Sequence, residues 1–165
     1  MFYVCGNHDR GYSSESSRGW TGEELRSALQ KNGVTILEDQ AVDLDEDLSV
    51  VGRMDRSRGG RAAAEDLLSA VAPGRYIVVL DHQPYDYDAE AAAGADLVLS
   101  GHTHGGQFIP IRHVGEWIGE NALRYGHERR GNTDFVVTSG ISNWAFQFKT
   151  GCRSEIVVID LRPQS

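Results

Sequence analysis

The apolar residues of this chain fall in short runs divided by polar, glycine-rich punctuation. Phe2-Tyr3-Val4-Cys5 is the first run, a predicted buried strand that ends at Gly6. Residues 10–19 are polar and rich in Ser and Gly, which predicts a loop. A helix is predicted from Thr21. Thr21 and Glu24 have capping-box spacing, Leu25 and Leu29 lie four apart on one face, and Gly33 stops the turn. Residues 34–37 and 48–51 are predicted strands, and 62–71 a second helix stopped by Pro73-Gly74. Tyr76-Ile77-Val78-Val79-Leu80 is unbroken, as expected of a strand covered on both faces. A short helix over 85–93 and a strand over 96–100 follow. Residues 108–130 are mostly irregular in pattern, and 135–138 and 155–161 are the predicted closing strands. Helices alternate with strands early and strands dominate late. The pattern predicts an α/β domain over 1–165: a sheet sandwich flanked by helices.

Composition narrows this picture. The length of 165 residues suits one domain, or most of one, with a sizeable core. A net charge of −8 argues against binding a phosphate backbone, so no nucleic-acid partner is expected. The run Asp43-Leu44-Asp45-Glu46-Asp47 reads as a solvated turn. Cys5 and Cys152 sit in strand-like contexts and read as buried, reduced thiols. No apolar run approaches the roughly 18 residues that span a bilayer, and no signal peptide precedes Phe2. The expected location is cytoplasmic or membrane-peripheral, with any anchor in sequence upstream of these residues. Arg53, Arg56, Arg58 and Arg61 surround Asp55 after a strand; they read either as a solvated basic loop or as a clamp for a phosphate or acidic head group. Tyr85, Asp86 and Tyr87 read as amphipathic packing or as the lining of a substrate mouth. His113 and His127 have no supporting pattern and read as structural.

Three fragments carry the chemistry: Gly6-Asn7-His8-Asp9, Asp81-His82-Gln83-Pro84 and Gly101-His102-Thr103-His104-Gly105-Gly106-Gln107. Each follows a strand-like run and sets nitrogen or oxygen donors where the backbone turns. A bare His-x-His more often marks exposed loop histidines, and a lone Asn after a strand more often closes an Asx-turn. The glycines around His102 and His104 permit positive φ and close backbone approach. Together the fragments offer an amide oxygen and three imidazoles, a donor set for borderline divalent metals.

In this order the fragments resemble the calcineurin-like metallophosphoesterases, in a branch that includes bacterial, often membrane-associated, phosphoesterases. The tail, from Thr138-Ser139-Gly140 through Trp144 to Ser154-Glu155-Ile156, is similar to the same branch, although Ala145, Gln147 and Lys149 depart from its usual Gly, Pro and Arg. The resemblance implies a four-layer fold and a site with two divalent ions such as Mn, Fe or Zn. It implies that Asn7, His82 and His102 bind one ion and that His104 belongs to the other. It implies that His8 protonates the leaving alkoxide or stabilises phosphoryl charge, that Asp9 holds the His8 ring, and that Gly105 and Gly106 leave room for phosphate. The implied reaction is hydrolysis of phosphomonoesters or phosphodiesters.

The family's opening Asp-x-His and its Gly-Asp dipeptide do not occur in this sequence. The resemblance therefore matches a domain whose N-terminal portion is missing here. Asn7, His82, His102 and His104 are all neutral donors, so one weak or moderate metal site is expected in this chain alone. The alternative is a non-catalytic truncated relative, or one half of a split phosphoesterase acting as a binding partner. The short apolar run from Phe2 to Cys5 would then offer an open edge to a second copy or to an upstream fragment.

Overall fold

The computed structural model describes residues 1–9, 19–109, 113, 117, 119, 122–143 and 148–162. The loop predicted over 10–18 and the segment around Trp144 lie outside the described residues. The strands are β1 (Phe2–Tyr3), β2 (Thr35–Ile36), β3 (Gln40–Asp43), β4 (Leu48–Gly52), β5 (Tyr76–Leu80), β6 (Leu97–Ser100), β7 (Gly126–Arg130) and β8 (Thr133–Val137). The α-helices are α1 (Gly22–Lys31), α2 (Ala64–Leu68) and α3 (Tyr87–Ala92).

Six strands form one sheet in the order β3-β4-β5-β6-β8-β7, and β1 and β2 form a separate parallel pair. The four central strands are parallel neighbours, while β3 and β7 close the edges antiparallel. Register sets the core. Val51, Val79, Val98 and Phe135 are successive cross-strand partners, each fully buried against Leu67 and Leu68 of α2 and Tyr87 of α3. The Tyr87 ring stacks on Phe135 with centroids 4.0 Å apart. One position earlier on each strand, Val50, Val78 and Leu97 face the other way, into a cluster with Leu37, Phe2 and Val4. The sheet is thus covered by helices on one face and partly by β1–β2 on the other. Full burial of each such side chain is worth about 1.5–3 kcal/mol, and the two rows hold the layers together.

Local signals behave as the sequence predicts in several places. Thr21 caps α1: its hydroxyl accepts from Glu24 N at 3.0 Å, and the Glu24 carboxylate accepts from Thr21 N at 2.7 Å. Asp45 Oδ1 closes the acidic turn by accepting from the amides of Asp47 and Leu48 at 2.9 and 2.8 Å. Cys5 is buried as expected, Cys152 is only half-buried, and neither forms a disulfide.

Three expectations are corrected. Gln40–Asp43 and Gly126–Arg130 are strands, although neither carries an apolar run; each is an edge held by the ladder of its neighbour. Residues 155–161 are not a paired strand. Among the described residues no strand lies alongside them, and Ile156 and Val158 are 82% and 89% exposed. The Glu155 end is anchored, since Glu155 N donates to Gly140 O at 3.1 Å and its carboxylate accepts from Thr138 Oγ1 and Ser139 N. Beyond it the segment borders an open apolar trough of about 350 Å³ lined by Leu99, Val136, Ile141 and Ile159. The third correction concerns Arg53 and Arg61, which are buried rather than solvated.

Candidate metal centre

The C-terminal ends of parallel strands point the same way. Gly52, Leu80 and Leu99 are register neighbours at the ends of β4, β5 and β6. The residues that follow, Arg53 to Asp55, Asp81 to Gln83 and Gly101 to His104, therefore gather on one edge of the sheet, where open α/β sheets bind ligands. The ladder continues briefly past the strands: Arg53 N donates to Leu80 O at 2.9 Å and Gly101 N to His82 O at 3.1 Å. The turn after β1 brings Asn7 to the same edge.

His82 is the centre of the group. Its Nε2 lies 3.1 Å from Asn7 Oδ1 and 3.2 Å from His102 Nδ1. The two rings meet edge to face, 77° apart in plane, with centroids 5.1 Å apart. Gly6 makes room for this arrangement, because a Cβ there would stand 2.7 Å from the His82 ring. Asp9 ties down the turn: its Oδ2 accepts from Tyr3 Oη and from Gly6 N, both at 2.7 Å. His8 is half-buried at this turn.

The loop after β6 is bent by unusual backbone. His102 and His104 have φ of 65° and 49°, and Gly105 and Gly106 follow at 63° and 75°. Left-handed backbone costs a non-glycine residue roughly 1–2 kcal/mol. Thr103 braces the bend by donating from Oγ1 to Arg124 O at 2.6 Å. His104 Nδ1 faces Ser142 O at 3.3 Å. Gly105 is buried with its open side against Cys152 Sγ, which gives it a packing role.

Electrostatics favour neutral rings. Burial pushes the His102 imidazolium down to about 4, with the neighbouring His82 adding to the effect. Burial also lowers His82 and His104. Asp55 opposes burial more than any other charged group at both His82 and His102. Neutral imidazoles offer lone pairs without competition from protons. Two such rings and an amide oxygen converging within about 3 Å suit a divalent transition ion. Among the described residues no group of three His, Cys, Asp or Glu side chains could hold an ion, and the oxygen that lies against His82 Nε2 is the amide Oδ1 of Asn7.

Behind the site lies a buried ionic cluster that local sequence patterns do not show. Arg53 Nη1 meets Glu90 Oε1 at 2.8 Å, Asp86 Oδ2 at 3.3 Å and Asp81 Oδ2 at 3.5 Å. Arg61 pairs closely with Asp81 and lies 3.3 Å from Asp86. Two guanidinium groups face three carboxylates, which leaves one negative charge in excess. Burial and the adjacent Asp81 charge push the Glu90 carboxyl up to about 8, while the Arg53 guanidinium pulls it down. Asp81 immediately precedes His82, and its carboxylate is locked by Arg53 and Arg61. The one local hint was Glu90 itself, an acidic residue set among alanines on a helix facing the core. Asp55, which the sequence shows only as the acid among four arginines, is 2% exposed; its Oδ1 accepts from Ser57 N at 3.0 Å and from the Ser57 hydroxyl.

An uncharacterized metallophosphoesterase of Helicobacter pylori (strain J99) is 28% identical over 99% of this chain and 43% of its own length. Phosphodiesterase YaeI of Escherichia coli is 30% identical over 97% of this chain and 57% of its own. Metallophosphoesterase YkoQ of Bacillus subtilis, also uncharacterized, is 25% identical over 94% of this chain and 58% of its own. The chain thus spans roughly half the length of these curated relatives. No solved structure matches. The family model for calcineurin-like phosphoesterases covers residues 1–106, from β1 through the His102-Thr103-His104 turn, and the chain belongs to that family.

Proposed function

We propose that this chain carries the Asn7–His82–His102 metal site of a metal-dependent phosphoesterase acting on phosphomonoesters or phosphodiesters. The convergence of the three donors on His82 Nε2 carries this reading. A divalent ion held there supplies Lewis-acid stabilisation of charge on a phosphoryl group. Asn7 and the two imidazoles orient that ion at the sheet edge. His8, half-buried beside Asn7, gives a proton from its ring to the leaving oxygen, and Asp9 fixes the turn that carries it. Gly106 leaves space on the phosphate side. His104 belongs to a second ion whose remaining ligands, the Asp-x-His and Gly-Asp carboxylates, do not occur in this sequence.

That last observation favours a second reading, in which the chain alone binds metal but does not turn over. It then acts as one half of a split centre or as a non-catalytic relative. Among the described residues β1 pairs with β2 alone, and its other edge is where a second copy or a carboxylate-bearing fragment would add.

The experiment is hydrolysis of an aryl phosphodiester with added manganese. The chain alone should show negligible turnover, and a fusion supplying the two carboxylate motifs ahead of Phe2 should show turnover that His82→Ala removes. In that fusion His8→Ala should slow the reaction by about 10²–10⁴, the usual size of general acid catalysis. A robust rate in the chain alone that vanishes in His104→Ala would show that the two-ion centre is already complete.

A further inference from the structure

The ligand set described above is neutral, yet a divalent ion brings two positive charges into a half-buried site. Three carboxylates have fields that reach His82: Asp55, Asp9 and Asp81. Asp81 is locked by Arg53 and Arg61, and Asp9 by the Tyr3 hydroxyl and the Gly6 amide. Asp55 differs from both. It is 2% exposed, and its Oδ2 is buried with no hydrogen-bond partner among the described residues. A buried carboxylate oxygen left unsatisfied is costly, and more so when the group is charged.

Two contacts set the loop that carries Asp55 against the loop that carries His82. The ladder from β4 to β5 continues through Arg53, which sets the Asp55 segment against the His82 segment. Next to Asp55, the Arg56 guanidinium lies 3.3 Å above the centroid of the Tyr85 ring, so the loop after β4 is clamped onto the loop after His82. Asp55 does not join His82 and His102 as a third ligand in this geometry. Its carboxylate stands outside the donor set.

We infer that Asp55 is the charge-compensating residue of this centre: a buried carboxylate that raises divalent-metal affinity from outside the Asn7–His82–His102 donors. The inference rests on that donor assignment. An anion close to a cation in a poorly solvated site acts far more strongly than at the surface. Ser57 holds one carboxylate oxygen and leaves the other, Oδ2, directed by the fold rather than by solvent. The free Oδ2 is the cost in the metal-free chain, and cation binding relieves it. Groups that support metal ligands from outside typically change metal affinity by about 10–100-fold.

The test is calorimetric titration of the full chain with cobalt(II), followed in parallel by the visible absorption of the bound ion. Asp55→Asn keeps the shape and the oxygen that accepts from Ser57, but removes the charge. It should weaken cobalt binding by about 10–100-fold without lowering the metal-free melting temperature, and Asp55→Glu should recover part of the loss. His82→Ala and His102→Ala should abolish binding. If Asp55→Asn binds within twofold of the parent while His82→Ala does not bind, the role of Asp55 is refuted and the donor assignment stands. If both histidine variants bind like the parent, or the parent binds no cobalt, the donor assignment fails and the inference with it. Should Asp55→Asn not fold, zinc titration of the unaltered chain with carboxyl-labelled aspartate decides. The Asp55 carboxyl carbon should shift on zinc addition while that of Asp66 does not; an unmoved Asp55 signal overturns the inference.

Discussion

His82 Nε2 and Asn7 Oδ1 stand 3.1 Å apart although 75 residues separate them in the chain. The contact joins the turn after β1 to the turn after β5, and His102 reaches the same nitrogen from the turn after β6 at 3.2 Å. Purified chain should therefore bind at most one transition ion per copy tightly. His82→Ala or His102→Ala should abolish that uptake, and Asp9→Asn, whose carboxylate serves the turn rather than the ion, should leave it nearly intact. Calorimetry that finds two tight ions in the unmutated chain would contradict the assignment.

Gly6 offers a test through packing instead of donors. A Cβ at residue 6 would press on the His82 ring at 2.7 to 2.9 Å, closer than real contacts allow. Gly6→Ala should displace that ring and weaken metal binding by tenfold or more. The expected cost to stability is about 1–3 kcal/mol, the usual penalty of overpacking. Equal metal affinity in Gly6→Ala would mean that the ring has room to move without losing its place.

Two buried groups set opposite pH trends. His102 is lowered from 6.5 to about 4 in the folded chain, so the unfolded chain binds more protons between those values. Stability from this group is present above pH 6.5 and is lost as pH falls toward 4. Glu90 is raised from 4.5 to about 8, so the folded chain holds the extra proton; its contribution is present below pH 4.5 and is lost as pH rises through 8. Above pH 6.5 only the Glu90 trend remains of these two. Urea midpoints of metal-free chain should fall between pH 6.5 and 9, and Glu90→Gln should flatten that fall. A parent midpoint that holds steady would mean that Glu90 is ionised throughout.

The capping box on α1 predicts a local effect. None of the α1 residues is buried, so the helix relies on its ends and on the Arg26–Glu38 pair at 2.7 Å. Thr21→Ala should cost about 1 kcal/mol. Amide exchange over residues 22–31 should quicken more than exchange in β5, whose protection comes from the central sheet.

What the sequence showed and hid follows from where the stabilising partners lie. β5 was legible because both faces are covered, which writes an unbroken apolar run. α1 was legible because its cap is built from residues three apart. β7 reads Gly-His-Glu-Arg-Arg and has no periodic signal, because its order comes from the β8 ladder. The tail failed in the opposite sense: Ile156 to Ile159 look like a strand, yet an apolar run does not supply its own partner. Asn7, His82 and His102 stand out in the sequence through their turn motifs, and the structure brings them together. The ionic cluster does not stand out, because Arg53 meets Asp81 and Glu90 across 28 and 37 residues, and no local pattern encodes such pairings.

The backbone at His102 and His104 has one more implication. Both residues occupy left-handed conformations that glycine adopts freely. Replacing either by glycine should relax the loop, by roughly 1 kcal/mol for each position. Evolution toward a more durable fold would thus have an easy route here, and following it would erase the imidazoles. The turn after β6 is a place where durability and chemistry pull on the same two residues, and in this chain histidine occupies both.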